Sequence, residues 1–193
     1  MKGPEPSEYR RKDVMKTAFF FITGTSGSGK STLEKTLRQQ LNSELFAVYD
    51  FDEKGVPINA DQVWRQKTTQ FWLEKGIEHD RLGQYMILCG AVQPSEVLAL
   101  IEAMKWQGRL YFGFLKIEDS LIRQRLQKRL WEAPLIENNI NWARLLEEEV
   151  RQAEDHKVFK ADTPEEQAVL AEDVLAWIFD SLKRETSKQA SKI

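Results

Sequence analysis

Cysteine is almost absent: Cys89 is the only one among 193 residues. No disulfide framework can close within the chain, which fits a reducing cytosol. Histidine is nearly as scarce. His79 and His156 sit in charged segments without metal-ligand company, so both read as surface residues. Long apolar runs are missing too. Phe19-Phe20-Phe21-Ile22 is too short for a signal-peptide core, and no segment approaches the length of a transmembrane helix. Nor does one charge sign prevail. Twenty-eight Lys and Arg against 30 Asp and Glu leave a net charge of −2, so there is no global basic field to hold nucleic acid. No internal repeat is visible. What remains, 41% apolar and 30% charged, suits a helix-rich soluble chain of about one domain.

Hydrophobic periodicity orders the elements. Thr17–Thr23 reads as a strand, Gly24–Gly29 as a turn, and Lys30–Asn42 as a helix with Leu33, Leu37 and Leu41 on its inner face. Leu45–Tyr49 reads as a second strand. Asp61 caps a helix through about Asp80, with Trp64, Thr68, Phe71 and Trp72 inward. Gln84–Cys89, Arg109–Ile117 and Lys157–Lys160 are the remaining strand candidates. Pro94–Trp106, Asp119–Trp131, Asn141–Asp155 and Pro164–Leu182 are the remaining helices. Strands alternating with helices predict a mainly parallel sheet covered on both faces. The loops at its strand C-termini then share one ligand-binding edge. The charged opening, residues 1–13, is expected to be a flexible arm and residues 184–193 a flexible tail, around one domain over 14–183.

Gly24-Thr25-Ser26-Gly27-Ser28-Gly29-Lys30-Ser31 fits G-x-x-x-x-G-K-[ST] at every position, between a strand and a helix. Glycines let the backbone approach phosphate oxygens closely, and successive amides then form a concave anion site. The helix beginning at Lys30 turns its positive dipole end to the same place. Lys30 adds a cation for the β- and γ-phosphates, Ser31 a hydroxyl for Mg²⁺, and Thr32 completes the loop's contacts.

Asp50 and Asp52 end the second strand. Alternation along extended backbone sends both carboxylates to one side, where one can hold the metal and the other can take a proton from an attacking hydroxyl. Glu53 is a third acid there. In the helix after the fourth strand, Ile122, Leu126 and Leu130 are expected in the core. Arg125 and Arg129 share a face that can clamp the γ-phosphate, or can be a solvated face paired with acids. Cys89 reads as a buried small residue, and Glu147-Glu148-Glu149 as a run facing solvent.

The phosphate-loop motif, the Asp50-Phe51-Asp52-Glu53 strand end and the arginine-rich stretch Arg123–Arg129 together resemble the P-loop kinases of small molecules and nucleotides. Shikimate kinase and gluconate kinase are nearest in layout, and the chain is also similar to small bacterial P-loop ATPases of that superfamily. The resemblance implies a three-layer α/β/α P-loop fold, with a five-stranded parallel sheet in the order 2-3-1-4-5 and a helical lid near residues 123–140. It further implies ATP–Mg²⁺ as phosphoryl donor, Asp50 on the magnesium side, and Asp52 as base or partner of the acceptor hydroxyl. Arg65 resembles the arginine that grips the acceptor, and Gly90 the glycine that lets it approach backbone. Three departures stand out. The third strand ends Leu88-Cys89-Gly90 without an aspartate, so magnesium falls to Ser31 and Asp50. One glycine stands where shikimate kinases have three, which argues against shikimate itself. Ala133 stands where their lid segment has arginine.

The expectation is therefore a cytoplasmic ATP-dependent phosphotransferase acting on a hydroxyl or phosphate of a small-molecule acceptor, with no membrane role and the acidic balance set against nucleic acid. Two alternatives stay open: an NTPase switch without an acceptor, and a polynucleotide 5′-end kinase.

Overall fold

The computed structural model describes residues 18–58 and 60–190. The arm expected over residues 1–13 and the end of the expected tail lie outside them. Five strands form one sheet: β1 (Ala18–Thr23), β2 (Phe46–Asp50), β3 (Tyr85–Gly90), β4 (Arg109–Lys116) and β5 (His156–Lys160). Their order is β2-β3-β1-β4-β5, and every pairing is parallel. Six α-helices connect or follow them: α1 (Lys30–Gln40), α2 (Gln62–Arg81), α3 (Pro94–Met104), α4 (Asp119–Lys128), α5 (Ala133–Gln152) and α6 (Pro164–Ala190). α1 packs on α6, while α2, α3, α5 and α4 touch in succession. This is the α/β arrangement that the alternating pattern predicts.

The central strands β1 and β3 are buried along their whole length, which explains why β1 reads as an unbroken apolar run. Successive side chains of that run serve opposite layers. Phe20 stacks on Tyr111 and meets Trp177, whereas Phe19 stacks on Trp106 and Phe21 on Phe112. Leu33, Leu37 and Leu41 are all buried, as their spacing predicts.

Parallel register places the functional loops together. Thr23 lies opposite Gly90, and Asp50 opposite Cys89, so the loops after β1, β2 and β3 leave one edge. Thr23 secures that edge by donating its hydroxyl to the Val92 carbonyl at 2.7 Å.

Several helix ends differ from expectation, three of them with consequences for the packing. α4 stops at Lys128 rather than Trp131. The N–H groups of Arg129 and Trp131 both donate to the Leu126 carbonyl, and Leu130 turns left-handed with φ 60. Leu130 is therefore 91% exposed and is not the core residue its spacing predicts. α5 starts at Ala133, well before Asn141, with Pro134 in its first turn, a position where proline favours helix. α6 continues through Ala190 instead of ending at Leu182, over residues rich in strong helix formers.

Candidate phosphate-loop site

The loop from Gly24 to Gly29 leaves β1 and enters α1 through Gly29, whose φ of 101 belongs to the left-handed region that a glycine adopts without strain. Gly27, with φ 86, does the same two residues earlier. Some loop amides are already engaged: Ser28 N–H donates to the Thr25 carbonyl and Thr32 N–H to the Gly29 carbonyl. Among the described residues, the N–H groups of Gly27, Gly29, Lys30 and Ser31 have no backbone acceptor. They are the orphan donors of a helix start, and they suit anionic oxygens.

Lys30 is half-buried beneath this loop. Its Nζ donates to the Thr25 carbonyl at 2.7 Å and lies 3.5 Å from Ser28 Oγ. Burial lowers its pKa to about 8, although Asp52 and Asp50 nearby favour the charged form. No salt bridge reaches Lys30 among the described residues. A desolvated ammonium facing neutral oxygens is poorly compensated, and polyphosphate oxygens would compensate it.

Asp50 joins α1 to the end of β2. One carboxylate oxygen accepts from Ser31 Oγ at 3.0 Å, and the other accepts the Asp52 N–H at 2.9 Å, capping a short 3-10 turn over Phe51–Lys54. Among the described residues no group of three or more His, Cys, Asp or Glu could hold a metal. The adjacent Ser31 and Asp50 oxygens fit a magnesium ion that takes its other ligands from phosphate and water. Asp52 has its pKa raised, first by burial and then by Asp50, with Lys30 opposing. A cavity of about 490 Å³ opens beside both carboxylates and is lined also by Glu34, Arg38 and Glu53.

On the other side of the loop, Arg125 donates to the Gly27 carbonyl at 2.7 Å. Arg125 and Arg129 line one cavity of about 360 Å³ with Gly29, Thr32, Ala161 and Leu170. Its volume is in the range of small-molecule sites. Arg123 points elsewhere and pairs with Glu137 at 2.8 Å.

Against solved structures, the chain is similar to shikimate kinase from Acinetobacter baumannii in complex with shikimate, with a TM-score of 0.58 and 15% identity over 86% of this chain and 94% of that one. It is also similar to shikimate kinase from Aquifex aeolicus, with a TM-score of 0.56 and 19% identity over 85% of this chain and 98% of that one. The chain has a P-loop kinase-like fold. A chain of the Pnkp1/Rnl/Hen1 RNA repair complex shares it at TM-score 0.54 and 12% identity, over 72% of this chain and 48% of that one. By sequence, no protein-family model and no curated protein matches.

Within this P-loop kinase-like fold, Arg65 and Gly90 stand apart from the loop-side residues. Arg65 forms a salt bridge to Glu96 at 2.8 Å, donates to Gln93 at 3.2 Å and lies 4.7 Å above the Trp142 ring. The space over Gly90 belongs to Phe51: a Cβ added there would come within 2.1 Å of the Phe51 Cβ. Neither residue lines the cavity that contains Asp52. The segment expected as a lid, 123–140, comprises most of α4, the turn at Leu130 and the start of α5. Ile136 and Ile140 are buried there.

Two sequence expectations require correction. His79 is half-buried, bonded to Tyr49 Oη at 2.6 Å and Gln84 Oε1 at 2.7 Å, because α2 packs beside the end of β2. The run Glu147–Glu149 does not face solvent as a block. Glu147 pairs with Lys116 and Arg151, and Glu149 accepts from Gln93 and the Ser95 N–H. Sequence reasoning missed Asn139, whose side chain meets Ser26. It also missed Ala161 and Leu170 in the wall of the Arg125 cavity. No local pattern marks any of them; each is brought in by a separate element.

Proposed function

We propose that this protein is an ATP-dependent phosphotransferase that moves the γ-phosphoryl group to a hydroxyl of a small acceptor. The observation that carries the reading is the half-buried Lys30 ammonium, hydrogen-bonded among the described residues only to neutral oxygens at the head of an amide-lined loop. The loop amides and Lys30 bind the β- and γ-phosphates, and Arg125 on α4 and Arg129 just past its end reach them. Ser31 and Asp50 would hold Mg²⁺, which when bound would neutralise phosphate charge. The 360 Å³ cavity receives the nucleoside end.

The acceptor oxygen attacks the γ-phosphorus as the bond to the β–γ bridging oxygen breaks. Asp52 takes the hydroxyl proton, and ADP leaves with the phosphorylated acceptor. A carboxylate raised above its ordinary value is the better base for that step. The acceptor side is the 490 Å³ cavity beside Asp52, which Arg65 and Gly90, taken up by Glu96 and Phe51, do not line. Because Glu34, Asp50, Asp52 and Glu53 outnumber Lys35 and Arg38 in that lining, that side suits a neutral hydroxyl compound better than a sugar acid or a nucleotide. The single buried cysteine accords with a cytosolic setting.

The test is ATP turnover by the purified protein, alone and with pooled nucleosides, nucleotides, neutral sugars, sugar acids or single-stranded oligonucleotides. Stimulation of at least tenfold by a small hydroxyl compound is expected. Acceptor-independent hydrolysis would replace this reading with an NTPase switch, and stimulation by oligonucleotides alone with a polynucleotide kinase.

A further inference from the structure

Three consecutive loop residues are held from outside the loop. Thr25 Oγ1 donates to the Asn139 main-chain carbonyl at 3.0 Å. Ser26 N–H donates to Asn139 Oδ1 at 3.3 Å, while Asn139 Nδ2 donates back to the Ser26 carbonyl at 3.3 Å. Gly27 is held by Arg125. The carboxamide thus satisfies both main-chain groups of one loop residue. A carboxylate could not, since it has nothing to donate.

Asn139 does not act in isolation. Asn139, Trp142, Leu146 and Glu149 follow one another at intervals of three and four along α5, so they form one stripe. The stripe begins on the phosphate loop. Trp142 lies under the Arg65 guanidinium, Leu146 is fully buried, and Glu149 closes on Gln93 and Ser95. A rigid helix therefore touches the phosphate loop at one point and the Arg65 cluster at another.

We propose that Asn139 is a positioning residue that holds the phosphate loop open for a triphosphate and couples the loop's occupancy, through this face of α5, to the surroundings of Arg65. This rests on the triphosphate reading of the loop. The long Ser26–Asn139 bonds are exchangeable: an anionic oxygen is a stronger acceptor for Ser26 N–H than a carboxamide. Binding that alters the Ser26–Asn139 pairing displaces α5, and the displacement is felt at Trp142. By linkage, whatever engages the Arg65 cluster changes nucleotide affinity by the same factor.

The experiment compares wild type with Asn139→Ala and the near-isosteric Asn139→Asp. It measures thermal midpoint, ATP–Mg²⁺ affinity by calorimetry, and the Trp142 indole N–H resonance, assigned by Trp142→Phe, with and without ATP. In wild type, ATP should shift that resonance. Asn139→Ala should still bind ATP, within about tenfold of wild type, but its Trp142 resonance should no longer respond. Asn139→Asp should fold normally and lose at least tenfold in ATP affinity, because its carboxylate faces the loop that receives phosphate. An unchanged Trp142 response in Asn139→Ala, or wild-type affinity in folded Asn139→Asp, would overturn the proposal. Failure of the wild type itself to bind ATP would instead remove the triphosphate reading, and this one with it.

Discussion

Lys30 and Asp52 are both ionisable groups displaced from their ordinary behaviour by burial, in opposite directions and with opposite consequences. Lys30 titrates near 8 in the folded chain, below its ordinary 10.5. Between those values the unfolded chain holds more protons, so the penalty for burying the ammonium is fully felt below about pH 8 and is relieved as pH rises towards 10.5. Phosphate binding needs the charged form. ATP affinity should therefore fall above pH 8, by up to about tenfold per pH unit until the bound-state value is passed, in calorimetric titrations from pH 7 to 10. A flat profile would mean that Lys30 does not serve the ligand. Asp52 is raised instead, so the folded chain holds the extra proton between the ordinary carboxylate range and its own value, and stability falls as pH rises through that window. Asp52→Asn should leave thermal stability equal or higher at pH 7 and ATP–Mg²⁺ affinity near normal, since the proposal assigns the metal side to Ser31 and Asp50. Transfer to the acceptor should drop by about two to four powers of ten, the range for losing a general base. Transfer at the wild-type rate would remove Asp52 from that role.

Among the elements, α4 and its exit show how a regular pattern breaks. The four-residue spacing of Ile122, Leu126 and Leu130 describes a helix face, but only the first two are buried. Backbone hydrogen bonds to the Leu126 carbonyl end the helix and leave Leu130 left-handed and exposed. A branched side chain there is strained, and its burial contributes nothing. Leu130→Gly should raise stability by about 1 kcal/mol, the cost of a left-handed non-glycine residue. Chemical denaturation of the two proteins would show it as a higher midpoint at unchanged slope; a lower midpoint would contradict the argument. The same turn brings the start of α5 onto the loop. This is why the expected lid segment contains Asn139 in contact with Ser26 rather than standing clear of it. Pro134 was the available signal that α5 begins early, because proline is favoured in the first helical turn.

At the scale of the whole molecule, a parallel sheet in the order β2-β3-β1-β4-β5 gathers the loops after β1, β2 and β3 at one edge, so one ligand can bridge several elements. A ligand that binds only the folded chain stabilises all of them together. ATP–Mg²⁺ at 100 times its dissociation constant should add about 2.7 kcal/mol. For a domain of this size that corresponds to a rise of about 5–10 °C in thermal midpoint. Lys30→Ala should fold but show no such rise. A shift that survives the substitution would place the nucleotide elsewhere.

The sequence alone determined the phosphate loop, the Asp50 and Asp52 pair and the alternation of strands and helices, because each is encoded by neighbours in the chain, although a 3-10 turn capped by Asp50, and not the expected extended alternation, sets how the two carboxylates meet. A left-handed glycine, an amide cradle and a two-residue carboxylate spacing need no distant partner to be recognised. Tertiary structure decided the rest. Arg65 is a lone arginine in sequence, and only the packing of α3 and α5 brings Glu96 and Trp142 to it. Gly90 resembles a backbone opened to an acceptor, and only the turn after β2 places Phe51 over it. Asn139 lies 113 positions from Ser26 and carries no motif. Hydrogen bonds and ion pairs form wherever complementary groups come within about 3 Å, and for these residues the distance is set by how helices pack on the sheet.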